Sequence, residues 1–331
     1  MKKLAIIVLA IVVAITCVLG FAACGSDADY VVGIVQLAPH NALDQTNTAF
    51  QTKLKELVEA QGKTVEFITG NAQGEDANNT SIVDGFIGRG ADLVYAIATQ
   101  SAQTAKARTN DYDIPVIFNA VTDPVDAGLV TSMDAPTGAN VTGVSDTNPV
   151  ELQFDLICDL MGGTDFTVGV LYTSKETNSV VQMERMRDAA AAAGVEFVKV
   201  GIADVGDIGN GMNGLANQGV DIVYIPTDNM LAESASTVHS QNLNLANPLP
   251  IVCGEKSMTE LCGVATISVN YSYLGELAAQ SAFEILVNGK KASEISVKIQ
   301  EENYDKVLCK NIAQEIGFTI PDTVIAEFSA E

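Results

Sequence analysis

The sequence predicts an α/β protein of two Rossmann-like lobes, each built on a parallel sheet, joined by a three-segment hinge. Three observations predict it. From residue 31 onward, short apolar runs alternate with helical periodicities. One string occurs twice, as Gly90-Ala91-Asp92-Leu93-Val94-Tyr95 and as Gly219-Val220-Asp221-Ile222-Val223-Tyr224, offset by 129 residues. Finally, about 300 residues follow an apolar leader, enough for two domains with separate cores.

The leader comes first. Lys2 and Lys3 precede an uncharged run from Leu4 to Ala23, which ends Phe21-Ala22-Ala23-Cys24 before Gly25-Ser26-Asp27. A basic start, an apolar middle and small residues before a cut describe a secretory signal. Small residues directly before a Cys resemble the bacterial lipoprotein cleavage box, with Phe21 in place of the usual Leu. Residues 1–23 are therefore expected to be a signal peptide, Cys24 the lipidated residue and 24–30 a tether. The competing reading is an uncleaved membrane helix, for which the length suffices. The lipoprotein reading is preferred because Cys24 sits at the apolar–polar junction. Either way the remainder is expected outside the cytoplasmic membrane.

In the first lobe, Val31 to Val35 reads as a core strand ending at Gln36. Phe50, Leu54, Leu57 and Val58 then recur at helical spacing, with Gly62 as the stop. Val65–Ile68 is the second strand. Asn78 to Arg89 is a helix ended by Gly90, Asp92–Ala98 the third strand, and a helix begins near Ser101. Pro115–Phe118 is the fourth strand.

The order then repeats. Thr167–Tyr172 is a strand, Ser179–Ala193 an Ala-rich helix stopped by Gly194, and Val195–Val200 a strand. Ile208, Met212 and Leu215 mark the next helix, ended by Gly219; the Gly-rich stretch from Gly206 to Gly214 falls in this pattern, so it reads as a loose helix. Asp221–Ile225 and Pro250–Cys253 complete the set. Gly90 to Gly219 shares the offset of 129, and Pro115 to Pro250 is offset by 135, which suggests an internal duplication. Crossings between lobes are expected at 140–146, near 265–269 and near 297–301. The first lobe then comprises 31–143 plus about 270–298, and the second 146–266 plus about 301–331. Three crossings make a hinge that bends without separating the lobes.

The formal charge is −23, and −25 once Lys2 and Lys3 are removed. Phosphate binding needs clustered Lys and Arg, so nucleic acid is not expected as a partner. Cys158, Cys253, Cys262 and Cys309 match no zinc spacing. Cys253 and Cys262 are close enough to pair across a short loop, and four free thiols fit equally well. With only His40 and His239, a multi-His metal site is excluded, and no metal or cofactor is expected. His40 follows the first strand and is placed to line a pocket.

Ligands of open α/β sheets sit at the carboxyl ends of the strands. In lobe one these ends carry Gln36, Thr99, Gln100, Ser101, Asn119 and Thr122; in lobe two, Tyr172, Glu176, Asn178, Thr227, Asp228, Asn229 and Glu255, with Asp146 in the hinge. Hydroxyls, amides and a helix start suit a carboxylate; Asp228, Glu176 and Glu255 suit an ammonium. The pair fits a zwitterion such as an amino acid. Thr99, Ser101 and Thr122 are expected to hold its carboxylate, and Asp228 its ammonium, with Glu255 or Glu176 as alternatives. Singly, Thr99, Ser101, Asp228 and Asn229 also read as helix caps worth about 1 kcal/mol each. No nucleophile elbow, Walker loop or dinucleotide fingerprint is present, so no catalytic residue is expected.

Several segments resemble the lipoprotein substrate-binding proteins of ABC transporters, in the subgroup associated with tryptophan and other aromatic amino acids. They are Gln36–Asp44 (QLAPHNALD), Tyr95–Gln103 (YAIATQSAQ), Phe118–Val130 (FNAVTDPVDAGLV), Asn140–Asp146 (NVTGVSD), Ile225–Asn229 (IPTDN) and Gly254-Glu255. The resemblance runs over nearly all of residues 31–320. It implies a type I periplasmic-binding fold, a small-molecule ligand, a membrane permease as partner and a monomer anchored by lipid. Phe118, Tyr172 and Phe154 are the candidates for an aromatic pocket. Two alternatives stay open: a ligand sensor for a membrane receptor, and an exported α/β enzyme.

Overall fold

The computed structural model describes residues 28–329; the leader and Cys24 lie outside them. The first sheet is five-stranded and wholly parallel, in the order β2-β1-β3-β4-β5. Its strands are β1 (Tyr30–Gln36), β2 (Val65–Asn71), β3 (Leu93–Ile97), β4 (Val116–Asn119) and β5 (Val141–Gly143). Helices α1 (Asn41–Glu59), α2 (Asp76–Gly88) and α3 (Thr99–Thr109) connect them. The central strands β3 and β4 are buried along their whole length. Burial on both faces is why they read as continuous apolar runs rather than alternating ones.

In the second lobe, α4 (Val150–Met161) precedes β6 (Thr167–Thr173), α5 (Thr177–Ala193), β7 (Glu196–Ile202), α6 (Ile208–Asn217) and β8 (Ile222–Ile225). Short helices α7 (Asn229–Glu233) and α8 (Ala235–Leu243) lead to β9 (Ile251–Cys253), α9 (Lys256–Cys262) and β10 (Ala265–Ser268). The sheet order is β11-β10-β9-β8-β6-β7, parallel except that β11 (Asp305–Leu308) runs antiparallel to β10.

The repeated string does the same work in both lobes. Asp92 Oδ2 accepts the Val31 N–H at 2.7 Å, and Asp221 Oδ2 accepts the Thr167 N–H at 2.8 Å. Each carboxylate thereby ties the start of its own strand to the start of the lobe's first strand. Gly90 and Gly219 both adopt positive φ, +71° and +75°, the left-handed turn that closes the preceding helix. Tyr95 and Tyr224 are fully buried in separate cores. Their hydroxyls are satisfied, Tyr95 by Thr46 and Asn119, Tyr224 by Gln153 Oε1 at 2.7 Å.

The hinge departs from expectation at one point. Ala265–Ser268 is not a crossing; it is β10, inside the second sheet, and the chain crosses just after it at Val269–Asn270. Thr266 and Ile267, expected within a crossing, are buried between β9 and β11. Helix α10 (Tyr271–Leu286) then packs on α1. There Gly275 lies so close that an added Cβ would come 2.4 Å from the Thr46 carbonyl oxygen. The first and third crossings run side by side: Ser145 N–H donates to Lys298 O at 2.8 Å, and Lys298 N–H to Gly143 O at 2.9 Å.

Candidate functional site

A narrow cleft, tightly closed, lies where the carboxyl ends of the two sheets face one another. Lobe one contributes His40, Leu43, Ala120 and Thr122; the hinge region contributes Asp146 and Tyr271. Lobe two contributes Asn178, Thr227, Asp228, Asn229, Ala232 and Glu255. A more open groove runs between α1 and α10, lined by helix residues such as Thr48, Thr52, Ser272 and Glu276.

Three carboxylates face this cavity, and no Lys or Arg is among the described residues that line it. Asp228 is held by four donors: Thr173 N–H (2.6 Å) and Ser179 Oγ (2.8 Å) on Oδ2, Thr173 Oγ1 (2.8 Å) and Leu231 N–H (3.0 Å) on Oδ1. It therefore caps α7 and also pins β6 to β8. Glu255 caps α9, accepting from Ser257 N–H (2.8 Å), Ser257 Oγ (2.6 Å) and Met258 N–H (2.7 Å). Asp146 accepts from the Tyr271 hydroxyl at 2.8 Å and from Thr122 Oγ1 at 3.2 Å. The first bond ties the first crossing to the helix that follows the second, and the other ties it to lobe one. Burial pushes all three carboxyl groups up from their ordinary range, and their hydrogen bonds oppose the push. Buried carboxylates with no cation of the protein beside them favour a cationic group on a ligand.

Behind this wall stands Glu176. Its carboxylate accepts from Asn229 N–H (3.0 Å), Asn229 Nδ2 (2.7 Å), Met230 N–H (3.1 Å) and Asn178 Nδ2 (3.2 Å). Burial first, then the Asp228 charge, raises its pKa. Glu176 thus orients two lining residues without itself lining the cavity.

Lobe one places its predicted residues differently. Thr122 lines the cavity, but its hydroxyl is directed at Asp146. Gln36 is turned into its own lobe, donating to Ala38 O and Asp44 and accepting from Asn47. Asn119 donates to Thr46 Oγ1 (2.7 Å) and the Tyr95 hydroxyl (2.8 Å) and accepts the Ala120 N–H (2.7 Å). Ser101 donates to Asn79 Oδ1 at 2.7 Å. Thr99 Oγ1 is buried without a partner, and Thr99 lies outside the cavity wall. The expectation that Gln36, Thr99, Ser101 and Asn119 form this wall is corrected accordingly: neighbours within the lobe engage three of the four.

The aromatic candidates move too. Phe118 sits in a first-lobe core, Phe154 in a second-lobe core, and Tyr172 packs on that second core with its ring end over Gly201 of β7. The aromatic ring in the wall is Tyr271. Sequence reasoning missed Leu43 and Tyr271 altogether. Ala120, also missed, carried no polar signal, yet its φ of +54° marks it as strained. Ala98, at the start of α3, has φ +80°. Cys253 and Cys262 are free thiols with sulfurs 3.8 Å apart. No group of three or more His, Cys, Asp or Glu suited to a metal occurs among the described residues.

Two side-chain bonds cross the cleft. His40 Nε2 lies 3.3 Å from Asn229 Oδ1, and Gln182 Nε2 donates to Thr122 Oγ1 at 3.3 Å. Gln182 also donates to Thr227 Oγ1 within lobe two. The lobes therefore stand closed on each other.

Two parallel-sheet lobes, three crossings and a polar cleft at the strand ends define the type I periplasmic-binding fold. Residues 31–330 match the family model described as ABC transporter substrate binding protein, and the chain belongs to that family. It is 34% identical over 271 residues to a tyrosine-binding protein of Clostridioides difficile, covering 82% of this chain and 76% of that one. A Streptococcus pneumoniae ABC domain in complex with L-Trp is 31% identical, with a TM-score of 0.80 over 90% of this chain and 99% of that one. The ligand-free, open structure of a Clostridium difficile substrate-binding protein with adhesive properties is 32% identical, but its TM-score is 0.66, over 88% and 96%. At nearly equal identity, the better fit to the liganded structure agrees with the closed cleft.

Proposed function

We propose that this solute-binding protein captures an aromatic amino acid outside the cytoplasmic membrane and delivers it to an ABC permease, tethered by a lipid on Cys24. One observation carries the ligand reading: a closed cleft lined by three buried carboxylates together with Leu43, Ala120 and Ala232. An ammonium suits the first part and an apolar side chain the second. The tyrosine-binding relative and the L-Trp complex support the aromatic class. Asp146, Asp228 and Glu255 surround the ammonium. Binding closes the lobes because both walls contribute contacts that exist only in the closed state.

Calorimetry on ligand-stripped protein tests the reading. Tyrosine or tryptophan should bind at micromolar or tighter affinity, about −8 kcal/mol or better. Native mass spectrometry should recover the bound compound unmodified. No heat with any aromatic amino acid rejects the ligand, and a chemically altered product rejects a purely binding role. Labelling with radioactive palmitate, lost in Cys24→Ser, tests the anchor.

A further inference from the structure

The protonation of one imidazole is set from the opposite lobe. The Glu176 carboxylate accepts the backbone N–H groups of Asn229 and Met230, and it also takes Asn229 Nδ2 at 2.7 Å. With Nδ2 committed there, Asn229 turns Oδ1 toward His40, 3.3 Å from Nε2. An amide oxygen only accepts, so Nε2 of His40 carries the proton. Burial keeps this ring neutral, so Nδ1 is a bare acceptor. That nitrogen is shut off from solvent and has no donor partner. His40 shares the cavity wall with Leu43, Ala120 and Ala232, away from any lining cation. An unmet acceptor on a residue of the ligand wall, beside Leu43, Ala120 and Ala232, is a recognition element, because a ligand that brings a donor relieves it and one that does not leaves it unpaired.

We infer that His40 Nδ1 discriminates within the aromatic class, favouring side chains with a ring donor, a phenol O–H or an indole N–H, over a plain phenyl ring. This rests on the reading of the cleft as an aromatic amino-acid site. Glu176 and Asn229 act as positioning residues, since they fix which nitrogen is free. A site that hydrogen-bonds its substrate rejects the analogue lacking the group. The net worth of one such bond corresponds to a preference of about 10-fold to 100-fold.

The test is calorimetric titration of the full chain with L-tyrosine, L-tryptophan and L-phenylalanine, in the wild type and in His40→Phe, which keeps a ring and removes the acceptor. Wild type should bind tyrosine or tryptophan at least about tenfold tighter than phenylalanine; in His40→Phe that ratio should collapse toward one. A second readout needs no variant: the Nδ1 resonance in ¹⁵N spectra of histidine-labelled wild type should shift upfield on adding the favoured ligand and stay put with phenylalanine. Equal binding of all three amino acids by wild type overturns the inference and leaves the aromatic reading intact. So does a ratio that survives His40→Phe. Binding of none of the three overturns the aromatic reading itself, and this inference with it.

Discussion

The ends of β3 and β8 are the same strand built twice, and they part company at their tips. Both begin at a left-handed Gly, anchor through an Asp to the start of a neighbouring strand, and bury a Tyr with a satisfied hydroxyl. Beyond the Tyr, lobe one closes with a neutral network of Asn119, Thr46 and Tyr95, and lobe two with Asp228 held by four donors. The shared part fixes where the cleft lies. The divergent part fixes its charge. Matching scaffolds thus give one wall that is neutral and one that is acidic, and a ligand that meets both must carry a cationic end.

The largest effect should come from breaking the acidic tip. Asp228→Ala leaves Thr173, Ser179 and Leu231 donors without an acceptor in a buried site. Loss of about 3–5 kcal/mol of stability is expected, together with a fall in affinity of more than about 100-fold. Thermal melts and calorimetry read the two. An unchanged melting temperature would show that the four contacts are not made.

The equivalent cut in lobe one should be milder and of a different kind. Asn119→Ala orphans the Ala120 N–H and removes the Tyr95 and Thr46 partner, costing about 1–3 kcal/mol of stability. Affinity should fall far less than in Asp228→Ala. Equal losses of affinity would erase the distinction between the walls.

The third test concerns the bond that joins the walls. Burial lowers the His40 pKa to about 4 in the closed state, against the ordinary 6.5, while the bond to Asn229 and the Asp44 charge partly offset the burial. A depressed value means that protonation favours the open state. The closing free energy supplied through His40 is therefore complete above about pH 6.5 and lost progressively toward pH 4. Glu176, raised by burial, pulls in the opposite direction, so the comparison must be made against His40→Asn. Relative to that variant, wild-type affinity should drop about tenfold between pH 7.5 and 5.5. A ratio that does not change with pH would show that closing the lobes leaves the His40 environment unchanged.

The smallest stability effect is expected at Thr99. Its hydroxyl has no partner, so Thr99→Val should change stability by less than about 1 kcal/mol. Thr99 lies outside the cavity wall, so ligand affinity should stay within about twofold; a larger drop at constant stability would bring Thr99 into the site.

Much of this arrangement is legible in the sequence because it depends on local chemistry. Helix-ending glycines, apolar runs buried on both faces and a repeated Asp identify the strands and the duplication. Asp146, Asp228, Glu255, Asn178 and Thr122 follow from the rule that strand ends bear ligands. What is not legible depends on partners distant in sequence. Ser101 meets Asn79, 22 residues away, and so turns away from the cleft. Tyr271 reaches it only because the second crossing delivers α10 beside the hinge, 125 residues from its partner Asp146. Thr266 and Ile267 read as a connector because a β-prone segment looks alike in a hinge and beside β11.

The most direct test of an acidic wall facing a neutral one is to remove the ligand's cation. Calorimetric titration with L-tyrosine and with 3-(4-hydroxyphenyl)propanoate, which lacks only the ammonium, isolates that contribution. The unlike tips predict micromolar or tighter binding of tyrosine and a loss of at least about 100-fold for the desamino compound. Equal affinity for the two would contradict the account.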